Sequence, residues 1–175
     1  MGLMIAAYPT PEQAARLAIR GGEAREKLHM TLVYLSPEVE PNLLAKAIMA
    51  ANKFSQRRRE YDGEPWEGRV SGFGRFSNPE EDVLYAGVDL FRLEEYRSSL
   101  LDELYNEYAI LADSDHGFTP HITLKYLNET DGIPFERIGP IDLTFNSVCV
   151  VTDDFKYEFP LVRNDSVTYN ITLEY

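Results

Sequence analysis

"LHMTLVYL" at residues 28–35 and "PHITLKYL" at 120–127 write one pattern twice, H-x-T-L followed by x-Y-L. The chain holds 3 histidines, and two of them open these copies. Side chains on a strand alternate between its faces. His29, Thr31 and Val33 therefore share one side of the first copy, opposed by Met30, Leu32 and Tyr34. In the second, His121, Thr123 and Lys125 share a side, opposed by Ile122, Leu124 and Tyr126. The apolar triplets are the expected core faces, so both His-Thr pairs are expected to turn away from the core. Along a strand each histidine stands roughly 6–7 Å from its threonine, at about 3.3 Å per residue. Such a pair can reach different atoms of one tetrahedral ligand. Either motif singly reads as a half-buried strand whose polar groups face water. Taken together, the shared type, spacing, register and Tyr-Leu flank favour one site built from both. They also point to an internal duplication whose pseudo-twofold axis brings the two faces together across a groove.

The surrounding chain supplies the frame. Residues 3–8 read as a buried strand, and Thr10 caps a helix from Pro11 to about Ile19. A charged, Gly-broken loop fills 20–27. A helix near 41–55 follows the first motif, and the arginine run Arg57 to Arg59 suits the negative end of its dipole. A Gly-punctuated strand is expected at 66–76 and another at 83–90. The helix at about 92–111 carries Leu93, Tyr96, Leu100, Leu104 and Tyr108 at spacings of three and four. After the second motif come strands near 138–151, 155–162 and 166–174. Consecutive strands mixed with helices indicate an α+β fold, with mainly antiparallel sheets and helices outside. No linker divides the chain, so a single bilobed domain is expected over residues 1–175, with 164–175 of open role.

Composition narrows the function. With 44% hydrophobic residues, 11 Tyr and 9 Phe, the 175 residues can fill a sizeable core. A net charge of −12 argues against tracking along duplex DNA, which needs many phosphate-neutralising cations. A few focused cations still permit a local anion site, so a small nucleotide or a nucleic-acid end fits as partner. Cys149 is the single cysteine, which rules out an internal disulfide or a Cys-based zinc site. No H-x-x-x-H or H-E-x-x-H motif occurs, and "DSDH" at 113–116 reads better as a solvated loop than as ligands. His116 is accordingly read as a loop residue, and neither metal nor cofactor is expected. The apolar run "LMIAAY" at 3–8 is too short to cross a bilayer, and no basic segment precedes it. A cytoplasmic monomer without membrane contact is the expectation.

"HMTL" at 29–32 and "FTPHITLKY" at 118–126 resemble the paired signatures of the 2H phosphoesterase superfamily. That is the fold of RNA 2′,3′-cyclic phosphodiesterases and so-called 2′-5′ RNA ligases. The likeness takes in the opening strand, both motifs, their separation and the helix before the second. It implies a bilobed fold, two mainly antiparallel sheets lining a central groove with one catalytic motif per lobe, and a phosphodiesterase acting on nucleotide phosphodiesters. Substrates of such relatives include RNA ends with 2′,3′-cyclic phosphate, 2′-5′ oligoadenylates and, in some viral members, cyclic oligonucleotide signals of antiviral defence.

The chemistry agrees with that implication. One neutral and one protonated imidazole on opposite sides of a phosphorus can serve as base and acid. Thr31 and Thr123 would donate to the non-bridging oxygens. Lys125, on the expected motif face, either neutralises phosphate or is a plain surface lysine. The resemblance places Tyr8 near the groove, where it could stack on a base. Trp66 and Phe118 are further stacking candidates, with the core as the plain alternative for all three. Arg69 and Arg75 either bind phosphate or line a solvent face. A cyclic or short oligonucleotide is the favoured substrate, and RNA-end processing the runner-up. A non-catalytic nucleotide-binding module is the rival from another class.

Overall fold

The computed structural model describes residues 2–112, 117–134 and 139–163. In chain order the elements are β1 (Leu3–Ala7), α1 (Pro11–Leu17), β2 (Met30–Ser36), α2 (Pro41–Tyr61), β3 (Trp66–Phe76), β4 (Asp82–Leu90), α3 (Leu93–Tyr108), β5 (His121–Leu127), β6 (Asp142–Phe145), β7 (Ser147–Val151) and β8 (Lys156–Pro160). Thr10 and Gln13 close a capping box on α1, which stops at Leu17 rather than Ile19. Helix α2 runs on to Tyr61 instead of ending near 55. Its arginines explain the extension, because each is tied down: Arg57 to Glu103 on α3, Arg58 to Asp62, and Arg59 to the Pro160 carbonyl. The expected strand over 138–151 is two strands, interrupted at Asn146. His116 and the strand expected at 166–174 lie outside the described residues.

Among the described residues all strand pairs are antiparallel, and eight strands join in the order β6-β3-β4-β5-β2-β1-β7-β8. That order divides at its centre into two sets of four. On one side β1, α1 and β2 form a strand–helix–strand unit; on the other β4, α3 and β5 form its counterpart. The two expected sheets are thus halves of one curled sheet, sewn together by the single pair Met30↔Ile122. Strands β6 and β7 sit in opposite halves yet are separated by one residue, which forces the sheet to bend around a central groove. The helices cover one face, where a continuous core runs from Leu3 and Ile5 through Met30 and Ile122 to Leu100 and Leu104.

The strict alternation expected of the two motifs fails at the same position in each, and in the first copy a second time at Leu35, where Leu3 pairs with Ser36 and Met4 with Tyr34. Ile5 pairs with Val33 and Ala6 with Thr31, leaving Leu32 as an extra residue. Leu84 pairs with Lys125 and Tyr85 with Thr123, leaving Leu124 extra in the same way. A bulge turns two successive side chains to one side and reverses the pattern beyond it. Leu32 and Val33 are therefore both buried, whereas Tyr34 and Tyr126 emerge at 48% and 49% exposure instead of joining the core. The bulges repeat at the motif leucine, so the duplication extends to a backbone irregularity.

Candidate active site

Met30 and Ile122 are fully buried and face the core, so their neighbours on each side point into the groove. In an antiparallel pair, the residue before one member stands across from the residue after the other. His29 therefore faces Thr123, and Thr31 faces His121, around the Met30↔Ile122 pair. Diagonal neighbours in such a pair lie roughly 7–8 Å apart, which lets two imidazoles reach toward one phosphate. The structure brings all four motif residues to one spot, each half-buried.

Both rings are held the same way. The Nδ1 of His29 lies 2.7 Å from the Lys27 carbonyl oxygen, and the Nδ1 of His121 lies 2.7 Å from that of Thr119. A carbonyl only accepts, so each Nδ1 carries the proton and donates it. The lone pair of each neutral ring is left on Nε2, pointing away from its own backbone. Burial pushes the His29 pKa below its ordinary value of 6.5; the charge of His121 lowers it further, while the Lys27 hydrogen bond and Glu23 oppose the shift. His29 thus rests neutral, as a proton acceptor must. The Thr31 hydroxyl donates only to the Met4 sulfur, at 3.5 Å, a weak acceptor that a ligand oxygen would replace.

The loop before His29 is pinned to the strand carrying His121. The Glu23 amide donates to the Leu124 carbonyl at 2.8 Å. Gly22 makes this approach possible, since a Cβ there would collide with that same carbonyl.

Aromatic rings flank each imidazole. Tyr8 stands 5.5 Å from the His29 ring, centroid to centroid. Phe76 and Tyr85 stack on each other at 4.1 Å and present themselves to His121 at 5.1 and 5.4 Å. Tyr85 lies flat across Gly74, where any side chain would meet its ring. Sequence reasoning found Tyr8 and missed Phe76 and Tyr85, although a glycine inside a strand marks such a close approach.

Other expected residues lie elsewhere. Trp66 is 4% exposed and stacks on Tyr96 at 4.7 Å in the core, so it takes no part in the groove. Phe118 packs against the core beneath the Arg97 guanidinium, 4.3 Å from its ring centre. The bulge at Leu124 takes Lys125 off the face of Thr123: it lies across from buried Leu84, and its ammonium reaches Gly21. Arg75 staples the 128–131 loop through Asp82 and three carbonyls, and Arg69 pairs with Asp89 at 3.5 Å. A cation that sequence reasoning passed over, Lys156 of β8, does approach the site, its Nζ 4.1 Å from the centre of the Tyr8 ring. Among the described residues, no helix is long and apolar enough to cross a membrane.

A family model described as the 2′-5′ RNA ligase superfamily matches residues 9–153. No curated protein matches the chain by sequence. Among solved structures, TT0787 of Thermus thermophilus superposes with a TM-score of 0.68 at 17% identity, over 94% of this chain and 100% of that one. Escherichia coli LigT complexed with 3′-AMP gives a TM-score of 0.55 at 18% identity, over 93% and 96%. A phosphoesterase crystal structure gives 0.57 at 15% identity, over 93% and 96%. At these identities the likeness establishes a shared fold.

Proposed function

The chain belongs to the 2′-5′ RNA ligase superfamily, and we propose that it hydrolyses phosphodiester bonds of small nucleotides, cyclic or short oligonucleotides foremost, without a metal ion. The observation that supports this reading is the convergence of two Nδ1-anchored imidazoles, each beside the other motif's threonine, across Met30↔Ile122. A phosphodiester in the groove would present one oxygen to the Nε2 of each ring. His29, held neutral by its burial, is the proposed base that takes a proton from the attacking oxygen. His121 is the proposed acid: in its imidazolium form it carries a second proton on Nε2, which it gives to the leaving oxygen. Thr31 and Thr123 would steady the charge gathering on the non-bridging oxygens. The setting proposed is the cytoplasm. LigT has been crystallised with 3′-AMP and with ATP, which supports a small nucleotide as the ligand here.

A panel incubation tests the reading. With EDTA present, the protein is offered 2′,3′-cyclic mononucleotides, 2′-5′ and 3′-5′ dinucleotides, and cyclic di- and trinucleotides. Turnover of at least one class, unchanged by the chelator, is expected. Activity that EDTA abolishes and zinc restores would overturn the metal-free mechanism, and binding without turnover would leave a nucleotide-binding module.

The pH dependence follows from the direction of the His29 shift. A base works only when deprotonated, so kcat/KM rises with pH through the pKa of His29. Because that pKa is lowered, the midpoint of the acid limb falls below the ordinary 6.5. An acid limb centred above 6.5 would remove His29 from the role of base.

A further inference from the structure

The groove carries a ring platform beside each imidazole, Tyr8 at His29 and the Phe76–Tyr85 stack at His121. A 2′,3′-cyclic mononucleotide has one base and occupies one platform. A diester joining two nucleosides has a base on each side of the reacting phosphorus and can use both.

The His29 side has, in addition, a place to put the second nucleoside. A recess of about 600 Å³ opens next to Tyr8, lined by Pro9, Ala14 and Leu28, with Glu12 and Lys156 among its polar groups. Its walls are largely apolar with a few polar groups, as nucleoside sites tend to be. Arg25 and Glu26, which also line it, pair with each other at 3.3 Å. Lys156 forms no ion pair with a carboxylate among the described residues; its ammonium rests on the Tyr8 ring.

We infer that this recess is the second nucleoside subsite of the enzyme, with Tyr8 as its stacking surface and Lys156 as the cation for an adjoining phosphate. The substrate class this selects is an internucleotide diester, a linear or cyclic oligonucleotide, in preference to a 2′,3′-cyclic mononucleotide. The inference rests on the reading under Proposed function and adds to it the subsite that would favour oligonucleotides. A base entering the recess takes the ring face that Lys156 covers. Stacking of a base on an aromatic ring is stronger than an exposed cation–π contact, so the exchange favours the ligand. The displaced ammonium then lies beside the nucleotide, where a second phosphate offers it a partner of opposite charge. The Glu12 carboxylate, across the recess, accepts from a donor such as an exocyclic amine of the base.

Kinetics and binding on the intact protein test this together. In Tyr8→Ala and Lys156→Ala, kcat/KM for a dinucleotide that also carries a terminal phosphate is expected to fall about tenfold or more beyond any fall for 2′,3′-cyclic mononucleotides, the scale of one lost stacking contact. Equal losses on both substrates, or a wild-type preference for the cyclic mononucleotide, would overturn the subsite. Calorimetry with the same dinucleotide and a 3′-mononucleotide separates the subsite from catalysis. If neither is turned over, the catalytic reading fails. The subsite then stands if the dinucleotide binds more tightly and loses that advantage in Lys156→Ala, and falls if the two bind alike.

Discussion

His29→Ala and His121→Ala are each expected to lower kcat by about 10²–10⁴, the range for removing a general acid or base. Each imidazole supplies one proton transfer, and each is held for it by a carbonyl two residues back along its own chain. Alanine leaves those carbonyls without a donor, but Lys27 and Thr119 are exposed and water replaces the lost bond. The fold therefore persists, and an unchanged melting transition is the control. Groups that act in one step are not additive, so the double variant should fall little below the worse of the two single ones. The two variants should also differ in pH profile. His29→Ala loses the acid limb, whereas His121→Ala keeps it. Wild-type turnover in either variant would take that histidine out of the mechanism.

The four motif residues were legible because a strand has a period of two and the chain states its pattern twice. Two copies of His-x-Thr, each with an apolar residue between, can turn their polar faces only one way once Met30 and Ile122 are in the core. What lay beyond the reach of that logic is instructive. The bulges at Leu32 and Leu124 are set by how β1 and β4 pair with their neighbours, and nothing within the motif announces them. Past the bulge, alternation misassigned Tyr34, Tyr126 and Lys125, while Val33, expected on the polar face, went inside.

Residues that arrive from other strands were harder still. Tyr85 reaches the site because β4 sets it opposite Thr123, and Phe76 because β3 stacks it on Tyr85. Lys156 arrives through β8, three strands from His29 across β7 and β1. A sequence lists these residues far from either histidine, and only the sheet order makes them neighbours. Trp66 shows the converse: a ring with the composition of a stacking residue, on a strand whose start packs under α2 and α3, fills the core with Phe54 and Tyr96.

Thr31→Val and Thr123→Val carry the second large effect, a fall of about 10²-fold or more in kcat for each, the scale of one lost oxyanion donor. The substitution is nearly isosteric, and valine is at home in a strand, so β2 and β5 keep their geometry. Only the hydroxyl is removed. In the resting protein the Thr31 hydroxyl spends its proton on the Met4 sulfur, which holds it weakly, so little is given up when it turns to a phosphate oxygen. Charge on the non-bridging oxygens grows as the attacking oxygen closes on phosphorus. The bond is therefore worth more at the barrier than in the bound substrate, and the loss should appear in kcat with KM nearly unmoved. Serine in place of either threonine restores the donor and should recover most of the rate. A valine variant that raised KM alone would make the threonine a ground-state contact, and one with full activity would leave its histidine to act without it.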